Sequence, residues 1–129
     1  MTWRWLDPAV LLAAHGVQIA EHGGGTGIRD RELLDSALAR PQHLAAYGDP
    51  APAVSQLAAA YAIGIVRNHP FVDGNKRTGF VAMRLFLELN GYRWFAPDAD
   101  SVINVLKLAA GDLTDEEFTT WVIESARLT

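Results

Sequence analysis

Nine consecutive residues, His69-Pro70-Phe71-Val72-Asp73-Gly74-Asn75-Lys76-Arg77, gather an imidazole, a carboxylate, a carboxamide, an ammonium and a guanidinium. Two core helices can be joined by a few small polar residues, so packing alone does not demand this set. An anionic ligand does. In a helix starting near Asn75, the first N–H groups lack partners and the positive end of the dipole favours phosphate. Gly74 permits close backbone approach at that point. Lys76 and Arg77 then lie in the first turn, where cations oppose the dipole by some tenths of a kcal/mol, a cost that a bound anion outweighs. Asp73 offers a hard oxygen ligand, and one carboxylate plus substrate phosphates is the usual way Mg²⁺ is held. An imidazole ordinarily titrates near pH ~6.5, which suits a general base, so His69 is the candidate to deprotonate a hydroxyl. The minimal chemistry is in-line attack of a protein Ser, Thr or Tyr hydroxyl on a nucleotide phosphate, with Mg²⁺, Arg77 and helix N–H groups stabilising the charge.

The elements that must hold this loop read as helices. Asp7-Pro8 forms an N-cap and first helical position, and Val10, Leu11, Leu12, His15 and Ile19 continue a stripe that fails at Gly23-Gly24-Gly25. That glycine run does not fit the dinucleotide fingerprint and reads as a connection. Asp30 caps a second helix carrying Leu33, Leu34, Ala37 and Leu38, stopped by Pro41, with residues 42–52 as a loop. From about Ala53, the spacing of Val54, Leu57, Ala58, Tyr61 and Ile65 marks a helix that packs on several sides. Beyond the motif, Phe80, Val81, Leu85 and Leu89 mark another, closed by Asn90-Gly91.

Tyr92-Arg93-Trp94-Phe95 is a single extended segment, with Thr2 to Leu6 as its only comparable companion. Asp100 or Ser101 caps a helix through Val102, Val105, Leu106 and Ala109. Thr114-Asp115-Glu116-Glu117 is a capping box opening a last helix with Phe118, Trp121 and Val122 on its apolar face. The expected fold class is all-α: one domain over residues 1–129, a bundle of about six helices with at most a minor short extended pair.

The 129 residues, half of them hydrophobic, suit one domain, and no stretch approaches the roughly 20 apolar residues of a membrane span. A cytoplasmic protein with no membrane contact is expected. The absence of cysteine removes disulfides, thiolate metal sites and a thiol nucleophile. A formal charge of −4 argues against direct nucleic-acid binding, which needs a basic excess.

The nine-residue segment resembles the Fic motif, His-Pro-Phe-x-Asp/Glu-Gly-Asn-Gly/Lys-Arg, and matches it at every fixed position. Gly27-Ile28-Arg29-Asp30, Leu33-Leu34, the stretch Ser36 to Gln42 and the chain length are similar to the Doc toxin family within the Fic superfamily. The resemblance implies a compact Fic/Doc-type bundle with His69 as catalytic base and Asp73 as Mg²⁺ ligand. It places Gly74, Asn75 and Arg77 in the phosphate cradle, with Phe71 and Lys76 completing the set assigned to the ATP co-substrate. Lys76 departs from the adenylylating branch, which has Gly there and commonly a second Arg where this chain has Phe80.

The implied activity is that of a type II toxin, a protein kinase moving the ATP γ-phosphate to a Thr or Ser of elongation factor Tu and so arresting translation. The implied partner is a Phd-like antitoxin whose disordered segment folds on the toxin. Two alternatives stand beside it: AMP transfer by a Fic-type adenylyltransferase, and a catalytically silent antitoxin-binding module.

Other residues receive plainer readings. Phe71, although in the binding set, reads as a core anchor for the loop. His15, His22 and His43 lack ligand partners at metal spacing, so no zinc is assigned. Arg84, seven residues after Arg77, either reaches the nucleotide region or pairs with a carboxylate. Trp3, Trp5, Trp94 and Trp121 read as core rather than as an antitoxin groove. Thr120 and Glu124 echo the self-inhibiting motif of some relatives but lack its final residue, and read as surface positions.

Overall fold

The computed structural model describes residues 2–129. Its elements are α1 (Pro8–His22), α2 (Arg31–Tyr47), α3 (Val54–Asn68), α4 (Asn75–Leu89), β1 (Tyr92–Trp94), α5 (Asp98–Ala110), α6 (Asp115–Ser125) and β2 (Ala126–Leu128). The fold is thus a mainly helical bundle, with β1 and β2 forming a two-stranded antiparallel pair.

α3 is the centre, buried from Val54 to Val66 except at Gln56. Its N-terminus lacks a capping hydroxyl, and the Gln56 side chain accepts from the Ala53 N–H instead, at 2.7 Å. Small residues let its neighbours close in: a β-carbon at Gly64 would stand 3.2 Å from Ala37 Cα on α2. Tyr61 is buried too, and burial pushes its phenol pKa up, while the hydroxyl accepts from the Leu6 N–H at 3.2 Å. Each fully buried Leu or Ile here contributes about 1.5–3 kcal/mol. The tryptophans sit at the core's edge: Trp5 stacks on Phe86 at 5.6 Å, and Trp94 meets Trp121 edge-on at 5.0 Å.

The capping box is present as read. Thr114 Oγ1 accepts from Glu117 N and the Glu117 carboxylate accepts from Thr114 N, which holds the Glu117 pKa below its ordinary value. Three local expectations are corrected. α2 runs through Pro41 to Tyr47, because Pro41 is buried in register with Leu34 and Ala37; that apolar face outweighs the roughly 3 kcal/mol of a mid-helix proline. α5 starts at Asp98, with Asp98 and Asp100 in the first turn favouring the dipole. Ser101 is not its cap: its hydroxyl donates to Pro97 O and accepts from Trp94 Nε1.

The third correction is the strand partner. β1 pairs with β2, Tyr92 opposite Leu128 and Trp94 opposite Ala126, rather than with Thr2 to Leu6. The N-terminal segment is tied by a side chain instead, as the Asn90 amide accepts from Arg4 N and donates to Arg4 O. No helix among the described residues is long and apolar enough to cross a membrane.

Candidate active site

The motif loop begins where α3 stops. His69 is the C-cap of α3 at φ 52°, ψ 53°, the one non-glycine residue of positive φ among those described. That left-handed geometry costs of order 1–3 kcal/mol and persists only where the surroundings impose it. Here they do. The Arg29 guanidinium donates to the carbonyls of His69 at 2.7 Å and Asn68 at 3.0 Å, while Arg29 N and Asp30 N both donate to Pro70 O. Asn68 Nδ2 donates to Leu33 O at 2.9 Å, tying the end of α3 to α2.

Two residues of the expected binding set turn their side chains inward: Phe71, as the core anchor it was read to be, and Asn75, which nevertheless lines the cavity. Phe71 is 0% exposed and stacks on His15, so its side chain anchors the loop and lies outside the motif's cavity. Asn75 is also buried. Its Oδ1 accepts from Phe71 N at 2.9 Å and its Nδ2 donates to Phe71 O at 3.0 Å. The carboxamide is spent on the loop's own backbone, leaving Asn75 its main-chain N–H to offer a ligand.

His69, Asp73, Lys76 and Arg77 are exposed and share one cavity of about 630 Å³ with Gly74. Phe80 and the α5 residues Val102, Val105 and Leu106 give it an apolar wall. The volume falls in the range of small-molecule sites, roughly 300–1,000 Å³. Gly74, at φ 79°, is the N-cap of α4 and supplies no capping side chain. Among the described residues the N–H groups of Asn75, Lys76 and Arg77 have no hydrogen-bond partner, and neither cation has an ion-pair partner. An uncapped helix start flanked by two unpaired cations is suited to a phosphate chain.

Asp73 is gripped from two sides. Its Oδ2 accepts from the Gly25 N–H, and its carbonyl oxygen lies 2.8 Å from His15 Nε2. Among the described residues Oδ1 has no hydrogen-bond partner, which leaves it available as an oxygen ligand. No group of three or more His, Cys, Asp or Glu side chains placed to hold a metal occurs among the described residues. A single carboxylate beside an anion cradle fits Mg²⁺, which takes few protein ligands and shares substrate phosphates.

Sequence reasoning missed both grips. Gly25 was read as part of a connection, yet a β-carbon there would stand 2.8 Å from Val72 Cγ1 and 3.1 Å from Asp73 Oδ2. The signal for His15 was its place on the buried stripe with Leu11 and Ile19. Arg84 pairs with Glu88 at 3.7 Å and lies over the Phe80 ring, outside the cavity lining. Thr120 and Glu124 are exposed on α6, away from that lining as well. His22 and His43 are exposed; His22 lies 3.9 Å from Glu21, and His43 packs on Tyr47.

Compared with known proteins, residues 5–87 match the model of the Fic/DOC family. Over 96 residues the chain is 41% identical to Toxin Doc of Mycolicibacterium smegmatis, covering 74% of this chain and 71% of that protein. Over 92 residues it is 33% identical to Protein kinase doc of Escherichia phage P1, covering 71% and 72%. The family match contains every motif residue, while α5 lies beyond it.

Proposed function

Because the chain belongs to the Fic/Doc family, among its Doc members, we propose that it is the toxin of a type II toxin–antitoxin pair. Its activity in this reading is that of a protein kinase moving the ATP γ-phosphate to a Thr or Ser hydroxyl of elongation factor Tu, which arrests translation. One observation carries the reading: His69, held in the left-handed region, faces the same cavity as the uncapped start of α4.

The chain's own groups divide the work. The N–H groups of Asn75 and Lys76, with the Lys76 and Arg77 side chains, hold the phosphates, and the apolar wall from α5 receives the base. His69 takes the proton from the target hydroxyl as its oxygen bonds to the γ-phosphorus, the β–γ bridging bond breaks, and ADP leaves. Asp73 would hold Mg²⁺, which when bound would neutralise phosphate charge. The exposed position of His69 gives a protein hydroxyl access that a buried base would deny.

Kinase chemistry is preferred over AMP transfer for two reasons. Lys76 adds a cation beside Arg77, and Phe80 makes apolar the stretch of wall where adenylylating relatives resemble one another in carrying a second Arg. The name of the phage relative, Protein kinase doc, points the same way. The reading includes a Phd-like antitoxin that covers the nucleotide site, and a cytoplasmic place of action.

The test is transfer from γ-labelled and α-labelled ATP to elongation factor Tu in the presence of Mg²⁺, with His69→Ala as control. Label from the γ position alone is expected. Label from the α position moves the protein to adenylylation, and nucleotide binding without either label favours the silent module.

A further inference from the structure

α1 stands apart from the motif in sequence, yet it supports the motif from behind. His15 is 5% exposed, on the face of α1 that also buries Leu11 and Ile19. Its ring stacks on Phe71 with 3.8 Å between centroids and 9° between planes. Its Nε2 lies 2.8 Å from the carbonyl oxygen of Asp73. A carbonyl only accepts, so this nitrogen carries the proton and donates. The same ring edge faces the cap of α4, where a β-carbon on Gly74 would stand 3.7 Å from His15 Cδ2 and Nε2.

Packing alone does not select histidine here. Burying a polar ring is costly unless it is hydrogen-bonded, and Phe or Leu would fill this face without that cost. What the imidazole adds is direction. The Asp73–Gly74 peptide is planar and trans, so its C=O and N–H point opposite ways. Pinning the carbonyl inward on His15 therefore turns the Gly74 N–H outward, and that N–H has no partner among the described residues. From the other side the Gly25 N–H holds Asp73 Oδ2, so the carbonyl and carboxylate of Asp73 are fixed together.

We propose that His15 is a positioning residue for the phosphate and Mg²⁺ site: its hold on the Asp73 carbonyl aims the Gly74 N–H and the Asp73 carboxylate into the cavity. The inference rests on reading that cavity as a Mg-nucleotide site. His15 itself touches no substrate.

Two variants separate direction from packing in the full-length chain. His15→Phe keeps an aromatic ring on Phe71 and removes the donor; His15→Gln restores a donor and gives up the stack. Calorimetric binding of a non-hydrolysable ATP analogue with Mg²⁺ is measured beside melting temperature and the Gly74 amide signal in ¹H–¹⁵N spectra. The Phe variant is expected to bind roughly fivefold more weakly, about the worth of one net hydrogen bond, with its Gly74 amide shifted. The Gln variant is expected to regain affinity despite melting lower.

Affinities that instead follow melting temperature, with Phe binding as well as wild type, overturn the inference and leave His15 a packing residue. Wild type that binds no nucleotide overturns the functional reading; a Gly74 amide moved by Phe and restored by Gln then still shows the hold of His15 on the peptide. An unmoved Gly74 amide in a variant that folds overturns the hold itself.

Discussion

The inner and outer halves of the motif loop are built on opposite rules. Inside, Phe71 and Asn75 lie with His15 in buried positions where the Asn75 amide and His15 Nε2 meet backbone partners. Outside, Lys76 and Arg77 have no acidic partner among the described residues, and α4 starts on a glycine where Ser or Asp would cap it better. Folding stability alone would fill the outer half as it fills the inner. Satisfied groups make the frame, and the unsatisfied ones are those the proposed nucleotide would meet.

The sharpest way to break this comparison is His69→Ala. It should lower phosphate transfer by about 10²–10⁴, the usual worth of a general base, with the melting temperature near that of wild type. A folded variant that keeps full transfer removes His69 from the chemistry. On the inner side, Phe71→Ala should cost about 3–5 kcal/mol in chemical denaturation. A stable variant with weakened nucleotide affinity would instead make Phe71 a ligand contact.

Asn75→Ala strands the Phe71 N–H and carbonyl and should cost about 2–3 kcal/mol by the same measurement. A loss below about 0.5 kcal/mol, within the range of surface substitutions, means the clamp is not needed to hold the loop. The smallest stability change is the most telling in sign. Lys76→Glu should stabilise the fold by some tenths of a kcal/mol through the α4 dipole while abolishing binding of the ATP analogue. Destabilisation together with retained binding would contradict the division between frame and ligand groups.

The legible parts of the molecule were those written in short-range pattern. The Thr114–Glu117 box, the apolar stripe of α3 and the motif loop between two helices all depend on residues within a few positions of one another. Pro41 misled because a local breaker was set against burial that only tertiary packing provides. β2 carried no pattern, being three residues whose pairing with β1 joins positions over thirty apart. The site divided along the same line. His69 and Asp73 announced themselves by type and spacing, whereas the contacts of Asp73 with His15 and Gly25 span 58 and 48 residues and could not be read from either segment alone.

The burial of α3 on all sides has a consequence in time as well as in space. Its amides are expected to exchange with solvent mainly through global opening, whereas α5 buries Ser101, Val105 and Leu108 and leaves Val102, Ile103 and Leu106 exposed. On that expectation the base of the proposed chemistry caps the slowest-opening helix, and the apolar wall of its cavity belongs to a faster one. Hydrogen exchange should show α3 protected to the global limit and α5 below it; equal protection would mean the cavity opens as one body. In the first case the wall can swing to admit and release a nucleotide while the imidazole keeps its place.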